Sequence, residues 1–236
     1  MAVDDPVLSV VVPVFNEAGA IRQVVSAWDD ELARLGVPYE IRVYDDGSRD
    51  ETGALLAELA RDRPSVLALG HANRGHGPTI LRGYHEARGA WIFQVDGDDE
   101  MPASAFPELW ARREQADLVL GYRVGRSQSL ARRIVSGVSR AAVRLLFGRG
   151  VRDVNVPYRL YRRSALQALL PLIPADTFAP NVALAGLAIR RGLRVLEMPV
   201  QHRQRAVGSS SLGSWGLWRS AARALGQTVH IALAGR

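Results

Sequence analysis

Four carboxylates crowd into the stretch QVDGDDE, directly after the apolar run AWIF. They belong to Asp96, Asp98, Asp99 and Glu100. Like charges this close repel one another unless a positive charge lies among them. Because Mg²⁺ and similar hard cations prefer oxygen ligands, the stretch predicts a bound Mg²⁺ or Mn²⁺. Helix capping is the alternative, since PASAF follows, but an N-cap needs one carboxylate and not four.

The elements around this stretch alternate between β-rich runs and amphipathic helical patterns. We predict strands at 7–14, 39–46, 65–70, 90–96 and 116–122, and helices at 18–35, 50–62, 78–88 and 103–114. Near-continuous apolar strands separated by helices predict an α/β fold with a parallel sheet covered on both faces. Ligands bind at the carboxyl ends of such strands. Three polar clusters should therefore share one site: Asn16-Glu17, Asp45-Asp46-Gly47-Ser48 and residues 94–100.

The second half of the chain is less regular. We predict a helix at 127–147 and a late strand at 195–203, followed by a Gly/Ser-rich loop at 206–214. The helix carries an apolar face formed by Leu130, Ile134, Val138, Ala141 and Leu145. A C-terminal helix carries a second stripe, formed by Trp215, Trp218, Ala222, Leu225 and Val229 and flanked by Arg219 and Arg223. Tryptophan with arginine suggests a helix at a membrane interface, and packing against the domain is the alternative.

Composition limits the class of protein. With 236 residues, of which 47% are hydrophobic, the chain can bury one sizeable core. No run of 18 uncharged apolar residues and no basic leader is present, so we expect no membrane span and no signal peptide. The absence of cysteine excludes disulfides and thiolate metal sites. We expect a cytoplasmic protein.

Charge is distributed very unevenly along the chain. Residues 1–100 hold 9 arginines and 18 acids, whereas residues 101–236 hold 21 arginines and 6 acids. An acidic half suits a cation that carries a nucleotide, and a basic half suits phosphates, nucleic acid or an anionic membrane. No nucleic-acid motif accompanies the arginines, so we expect no nucleic-acid partner.

The order and spacing of family 2 inverting glycosyltransferases are matched by four motifs: VVPVFNE (11–17), DDGSRDET (45–52), NRGHGPTILRGYHEARG (73–89) and VDGDDE (95–100). The chain resembles that family over roughly residues 7–212. Three later features are similar to its dolichyl- or polyprenyl-phosphate sugar transferase branch: GYR (121–123), DVNVPYRLYRR (153–163) and the Arg/Gly/Ser loop after residue 200. The resemblance implies a GT-A fold, a doubly covered, mostly parallel sheet with an Arg-rich helical acceptor region.

The resemblance also implies a division of the chain. A glycosyltransferase domain at 1–212 would comprise a nucleotide-sugar half at 1–121 and an acceptor half at 122–212, and residues 213–236 would form an amphipathic helix or tail. The donor would be a GDP- or UDP-hexose. The protein would act peripherally on the cytoplasmic face of a membrane, through its basic helix, its Trp-containing tail or a membrane-protein partner.

The donor-site roles follow from the resemblance, residue by residue. Asp96 and Asp98 form the D-x-D arrangement, Asp98 with a direct catalytic role, and Glu100 is a further metal ligand. Asp45, with Asp46 in a secondary role, would contact base and ribose. Gly47 and Ser48 fit an ordinary turn equally well. The remaining donor contacts are assigned to Pro13, Phe15, Asn16, Glu17, Gly75, Gly77 and either Arg74 or Arg82. His71 and His76 are expected to be structural.

The acceptor is inferred partly from what is missing. Transfer to a hydroxyl needs a general base. In the family that the chain resembles, this base usually follows the acceptor strand. The corresponding stretch here, DTFAPNVALAG (176–186), offers only Asp176, which could instead cap the next helix. A phosphate is already anionic and needs cationic groups. By resemblance these groups, with accompanying serines, are Arg123, Arg132, Arg133, Ser136, Arg203, Arg205 and Ser210, of which Arg123 and Arg133 are also assigned to catalysis. Ser211 replaces the lysine usual in relatives. A family 2 enzyme that glycosylates a hydroxyl is the alternative.

Overall fold

The structure is a computed structural model that describes residues 5–125, 130–148, 151–203 and 214–234. At the starts of two helices, residues 130–133 and 214–217, it describes the backbone alone.

One seven-stranded sheet organises the described chain. Its strands are β1 (Leu8–Val14), β2 (Tyr39–Asp45), β3 (Val66–Gly70), β4 (Trp91–Val95), β5 (Leu118–Val124), β6 (Tyr158–Arg162) and β7 (Val195–Gln201). The strand order is β3-β2-β1-β4-β6-β5-β7. The first four strands run parallel, whereas β6 lies antiparallel to both β4 and β5. The sheet is therefore mixed, with β7 parallel to β5 at its far edge.

Eight α-helices lie between or after the described strands. They are α1 (Ile21–Ala33), α2 (Thr52–Asp62), α3 (His76–Glu86), α4 (Phe106–Ala111), α5 (Leu130–Phe147), α6 (Arg163–Leu169), α7 (Pro180–Arg190) and α8 (Ser214–Ala234). Short 3₁₀ turns occupy 103–105, 113–115 and 170–172.

Burial of the central strands explains why they form. Every residue of β1 and of β4 is buried, as expected for strands with helices on both faces. An aromatic cluster joins Trp28 of α1 to Phe93 of β4, Phe106 of α4 and Tyr158 of β6. The Phe93 and Phe106 ring centroids lie 4.6 Å apart. This cluster packs the antiparallel strand onto the parallel half of the sheet.

The structure confirms the predicted strands to within two residues at each end, but the sheet is not wholly parallel as predicted. An additional strand, β6, runs antiparallel between β4 and the strand predicted at 116–122. We did not predict β6, since its sequence YRLYR places arginines where a buried strand usually carries apolar residues. The helix predicted at 103–114 is instead broken into α4 and two 3₁₀ turns.

The two basic helices pack beside each other. Helix α5 contacts both α7 and α8. Arg190 of α7 joins their carboxyl ends, because its guanidinium donates to the backbone oxygens of Leu146 at 2.7 Å and of Ala232 at 2.6 Å. Within the described residues, no helix combines the length and apolar character that a membrane crossing requires.

Helix α3 owes its close approach to the sheet to Gly83. A Cβ at this position would overlap a methyl group of Val11 and come within 3.1 Å of the Tyr44 ring. We expect Gly83→Ala to lower the free energy of unfolding by about 1–3 kcal/mol, as overpacking usually does. Urea denaturation measures this change.

Gly137→Ala is the matched control, because Gly137 lies in α5 with nothing within 4 Å of its would-be Cβ. There the better helix propensity of alanine should leave stability unchanged or raise it by up to about 1 kcal/mol. Equal stability of the two variants would contradict the packing role of Gly83.

Candidate functional site

The carboxyl ends of three neighbouring strands form the candidate site. Strands β2, β1 and β4 are adjacent and parallel, so the residues that follow them emerge at one edge of the sheet. The backbone amide of Asp46 donates to Val14 at 2.9 Å, which joins the segment after β2 to the end of β1. The polar clusters predicted to converge are therefore brought together.

The segment after β1 is held by side chains of the segment after β2. The amide of Asn16 donates to Ser48 Oγ at 2.9 Å, and Asn16 Oδ1 accepts from the amide of Arg49 at 2.8 Å. The amide of Glu17 donates to Thr52 Oγ1 at 2.9 Å. Asn16 also adopts a left-handed φ of 55°, which asparagine tolerates better than most residues. Its side chain thus shapes the turn.

Two other residues predicted for the base pocket lie at the end of β1. Pro13 is buried in the strand, whereas the Phe15 side chain is 41% exposed. An exposed aromatic ring at a ligand-binding sheet edge provides a flat apolar surface for a planar ligand.

Asp45 and Asp46 have different surroundings. Asp45 is partly exposed, and its Oδ1 accepts from the amide of Ser48 at 2.9 Å. Asp46 is buried and accepts from the amides of Arg74 at 2.7 Å and Gly75 at 2.9 Å. Asp46 therefore fixes the loop before α3. The amides of Arg74 and Gly75 thus both donate within the protein.

Gly47 allows the two loops to lie against each other. It has a φ of +73°, and a Cβ there would lie 2.7 Å from the backbone nitrogen of Asn73. Both the conformation and the space exclude a side chain.

Asp96 lies directly beyond β4, beside the first turn of α3. Its Oδ1 accepts from Gln94 Nε2 at 2.9 Å and lies 3.5 Å from His76 Nε2. Burial raises the pKa of Asp96 and the nearby Glu100 adds to that rise, whereas the charges of His76 and Arg123 oppose it. The sequence predicts a structural role for His76, and the structure places it beside a predicted metal ligand.

Gly97, between Asp96 and Asp98, allows the loop to pack closely on β1. A Cβ on Gly97 would overlap a methyl group of Val14. The left-handed turn falls instead on Asp99, with a φ of 58°. Asp98 Oδ1 accepts from the amide of Glu100 at 3.2 Å, which orients its carboxylate within the loop.

The donor set suits a hard cation that is shared with a ligand. In the described ranges, no three His, Cys, Asp or Glu side chains are grouped so as to hold a metal ion by themselves. Mg²⁺ sites at phosphates need no such group, since one or two carboxylates combine with phosphate oxygens and water. Asp96 and Asp98 fit that arrangement, because Asp96 is a partly exposed carboxylate with a raised pKa, and a cation would stabilise its charged form.

Glu100 joins the loop after β4 to the segment after β7. Its Oε2 lies 2.9 Å from His202 Nε2, and its backbone oxygen accepts from the amide of Arg203 at 2.9 Å. Sequence reasoning missed His202. Glu100 remains a predicted metal ligand, with one carboxylate oxygen already shared with this histidine.

Two of the predicted arginines have carboxylate partners. Arg82 pairs with Glu86 at 2.8 Å on the same helix and lies over the Tyr44 ring. Arg123 forms a two-pronged pair with Asp153, with distances of 2.7 and 2.9 Å. The pair joins the GYR motif to the DVNVP motif, and sequence reasoning missed the role of Asp153 in it.

The other predicted acceptor residues are described less fully. Ser136 is partly buried in α5, and Arg203 is exposed after β7. Arg132 and Arg133 lie in the first turns of α5, where only the backbone is described. Arg205, Ser210 and Ser211 lie outside the described residues.

Asp176 is exposed and does not cap the following helix. The N-cap residue of α7 is Ala179, and among the described residues no side-chain hydrogen bond caps the helix. The capping alternative for Asp176 is therefore wrong. Its backbone oxygen accepts from Gln227 Nε2 at 3.3 Å, and Gln227 Oε1 accepts from the amide of Phe178 at 2.8 Å.

Curated relatives cover most of this chain. It is 32% identical, over 206 residues, to an undecaprenyl-phosphate 4-deoxy-4-formamido-L-arabinose transferase of Klebsiella pneumoniae subsp. pneumoniae, spanning 86% of this chain and 62% of that protein. A transferase of the same name from Pseudomonas aeruginosa (strain LESB58) is 33% identical over 89% of this chain and 61% of its own length. The chain thus spans less than two thirds of these relatives.

Solved structures share the fold. Glucosyl-3-phosphoglycerate synthase from Mycobacterium tuberculosis, in complex with Mn²⁺, uridine diphosphate and phosphoglyceric acid, superposes with a TM-score of 0.72. The alignment covers 96% of this chain and 78% of that one at 17% identity. This likeness confirms the predicted GT-A fold.

The sequence profile of the family described as Glycosyl transferase family 2 matches residues 9–170. This range includes the three strand ends, the loop before α3 and the carboxylates after β4. The chain belongs to glycosyltransferase family 2.

Proposed function

We propose that the protein transfers a sugar from a nucleotide-sugar to a polyprenyl phosphate, with inversion at the anomeric carbon. The observation that carries this proposal is the grouping of Asp45, Asp96 and Asp98 at one sheet edge, beside the amino end of α3. Carboxylates for a cation and a helix end for an anion suit a nucleoside diphosphate.

The donor would lie across the ends of β2, β1 and β4. The exposed Phe15 ring offers a surface for the base, and Asp45 is the accessible carboxylate for base or ribose. The diphosphate would lie near the start of α3, where the exposed Arg74 side chain and the helix dipole favour negative charge. Asp96 and Asp98 would hold a divalent cation, which stabilises the negative charge of the departing diphosphate.

The acceptor would approach from the other half of the sheet. An acceptor phosphate brings its own nucleophilic oxygen, so it needs cationic groups rather than a base. Arg123 supports this role from the end of β5, fixed in orientation by Asp153. Arg132 and Arg133 of α5, with the exposed Arg203, are the further candidates.

The reaction is an in-line displacement. An acceptor phosphate oxygen forms a bond to the anomeric carbon while the bond from that carbon to the diphosphate oxygen breaks, so the configuration inverts. The electron pair of the broken bond leaves on the diphosphate. Positioning of the two anions and preorganised positive charge would supply most of the acceleration.

The named relatives support the acceptor more directly than the sugar. They are undecaprenyl-phosphate transferases, which agrees with a polyprenyl phosphate. The sugar in their names is an arabinose derivative, a pentose, whereas we predicted a hexose. The hexose and the choice between GDP and UDP remain predictions.

A membrane surface is the proposed meeting place with the lipid. Two exposed apolar stripes support it: Ile134, Val138 and Leu145 on α5, and Trp218, Leu225 and Leu233 on α8. Neither helix contains an acidic residue, and exposed arginines accompany both stripes. Each arginine near an anionic surface contributes about 1 kcal/mol.

Replacing either aspartate of the D-x-D arrangement tests the donor site. We expect Asp96→Ala and Asp98→Ala to abolish Mn²⁺-dependent binding of the nucleotide, because the cation loses a carboxylate that couples it to the protein. Isothermal titration of UDP and GDP, each with and without Mn²⁺, measures this. Asp62→Ala, an exposed change at the end of α2, is the control. Metal-dependent binding that persists in both site variants would refute the assignment.

Turnover identifies the acceptor class. We expect labelled sugar from a panel of GDP- and UDP-sugars to enter the lipid phase only when short polyprenyl phosphate is added with Mn²⁺. Asp176→Ala should lower this rate by less than about threefold, since a phosphate acceptor needs no base. A loss of a hundredfold or more, as removal of a general base causes, would favour a hydroxyl acceptor instead.

Vesicle binding tests the membrane surface. We expect co-sedimentation with phosphatidylcholine vesicles to increase when phosphatidylglycerol is included, and to fall in Leu145→Gln and Arg144→Gln, because apolar burial and charge attraction act together. Arg61→Gln, an exposed change on α2, is the matched control. Equal binding by all four proteins would place the contact elsewhere.

A further inference from the structure

A chain of buried amides and a phenol leads from Asp96 into the core. Gln94 of β4 donates from Nε2 to Asp96 Oδ1 at 2.9 Å, and its Oε1 accepts from Asn181 Nδ2 at 2.9 Å. Asn181 Oδ1 in turn accepts from the hydroxyl of Tyr84 at 3.1 Å. At most 3% of each of these three residues is exposed.

The hydrogen bonds from Tyr84 to Asp96 all run in one direction. Burial raises the pKa of Tyr84 well above its ordinary value, and its hydroxyl donates to Asn181 Oδ1. Asn181 thus accepts with its oxygen and presents its NH₂ group to Gln94. Gln94 accepts with its own oxygen and presents its NH₂ group to the carboxylate. An isolated glutamine could turn its oxygen toward Asp96, since the two ends of an amide have nearly the same shape.

The far end of the chain is fixed by a buried arginine. Arg159 of β6 is fully buried and donates to the backbone oxygen of Asn181 at 2.9 Å. Its other bonds go to Tyr161 and to the backbone oxygens of Val154 and Val156, so none of the described carboxylates bonds to it. Four hydrogen bonds to neutral acceptors thus hold the guanidinium in place beside Asn181.

We propose that Gln94 and Asn181 are positioning residues for the metal-binding carboxylate. Asn181 holds Gln94 with its NH₂ group toward Asp96 Oδ1. The bond from Gln94 then fixes the rotation of the Asp96 carboxylate and leaves its second oxygen to the cation. This inference rests on the proposed function, since it assumes that Asp96 binds the metal. It also assigns a role to α7, which belongs to the predicted acceptor half.

The alternative is a purely structural network that holds α7 on the sheet. Removal of a structural bond lowers stability but leaves the metal affinity of the folded protein unchanged. Loss of an orienting partner to a metal ligand typically weakens metal binding by about 10–100-fold. Metal affinity therefore separates the two roles.

Three substitutions in the full chain make the test. Asn181→Leu keeps the shape of the side chain and the backbone oxygen that Arg159 uses, but it removes both side-chain bonds. Tyr84→Phe removes only the hydroxyl that orients Asn181. Tyr161→Phe is the matched control, because Tyr161 packs against Tyr84 with ring centroids 5.7 Å apart and bonds to Arg159, yet it is not part of the chain to Asp96.

Binding of Mn²⁺ in the presence of UDP or of GDP is measured from the electron paramagnetic resonance signal of free Mn²⁺. Thermal unfolding identifies the folded variants. We expect Asn181→Leu to weaken Mn²⁺ binding by about tenfold or more, Tyr84→Phe to weaken it by less, and Tyr161→Phe to leave it at the wild-type value. If Asn181→Leu does not fold, the comparison of the two phenylalanine variants decides.

The positioning role would be overturned if Tyr84→Phe and folded Asn181→Leu bound Mn²⁺ as tightly as Tyr161→Phe does. That result would leave the proposed function intact. A wild-type protein that binds no Mn²⁺ with either nucleotide would refute both, so the two failures are distinguishable.

Discussion

The reversal of strand order beside β1 is the constraint on which the site depends. From β1 the chain adds β2 and β3 on one side, and then returns to place β4 on the other. Open α/β sheets usually bind ligands where the strand order reverses in this way, at the carboxyl ends of the strands. The segments that follow β2, β1 and β4 meet at this edge, and α3 begins beside it. The polar side chains of the candidate site are therefore positioned by the order of the strands.

The fold was largely predictable where the sequence alternates regularly. Strands β1 to β4 are short apolar runs with helical patterns between them, and their carboxyl ends carry unusual polar groups. The sheet beyond β4 was harder to predict, because Arg159 and Arg162 give β6 the composition of an exposed segment. Helix α7 is apolar on nearly every side, so it lacks the periodicity that would have set its bounds. Arg159 is buried because three acceptors close to it in sequence and the backbone oxygen of Asn181 take its N–H groups, and hydrophobic periodicity does not reveal such acceptors.

The candidate site was predictable at the level of residue types but not of partners. Their positions after predicted parallel strands indicated that Asp45, Asp46, Asp96 and Asp98 belong together. The sequence could not show that Asp46 accepts hydrogen bonds from the amides of the loop before α3. Nor could it show that His202, more than a hundred residues later, contacts Glu100. Such contacts depend on the order of strands in the sheet. Side chains that prepare a site and side chains that touch a ligand look alike in sequence, and only their bonds within the protein distinguish them.

The two hydrogen bonds of Gln227 have a consequence for how this chain can vary. They join α8 to the turn at residues 176–178, and the same turn packs so closely on α3 that Gly77 has no room for a Cβ beside Thr177 and Phe178. The C-terminal helix is thus bonded to the turn that packs on α3, the helix that begins beside the candidate site. A shortened or chimeric chain that lacks α8 would leave that turn without two of its contacts, so exchange of this helix between homologues would have to include the turn as well.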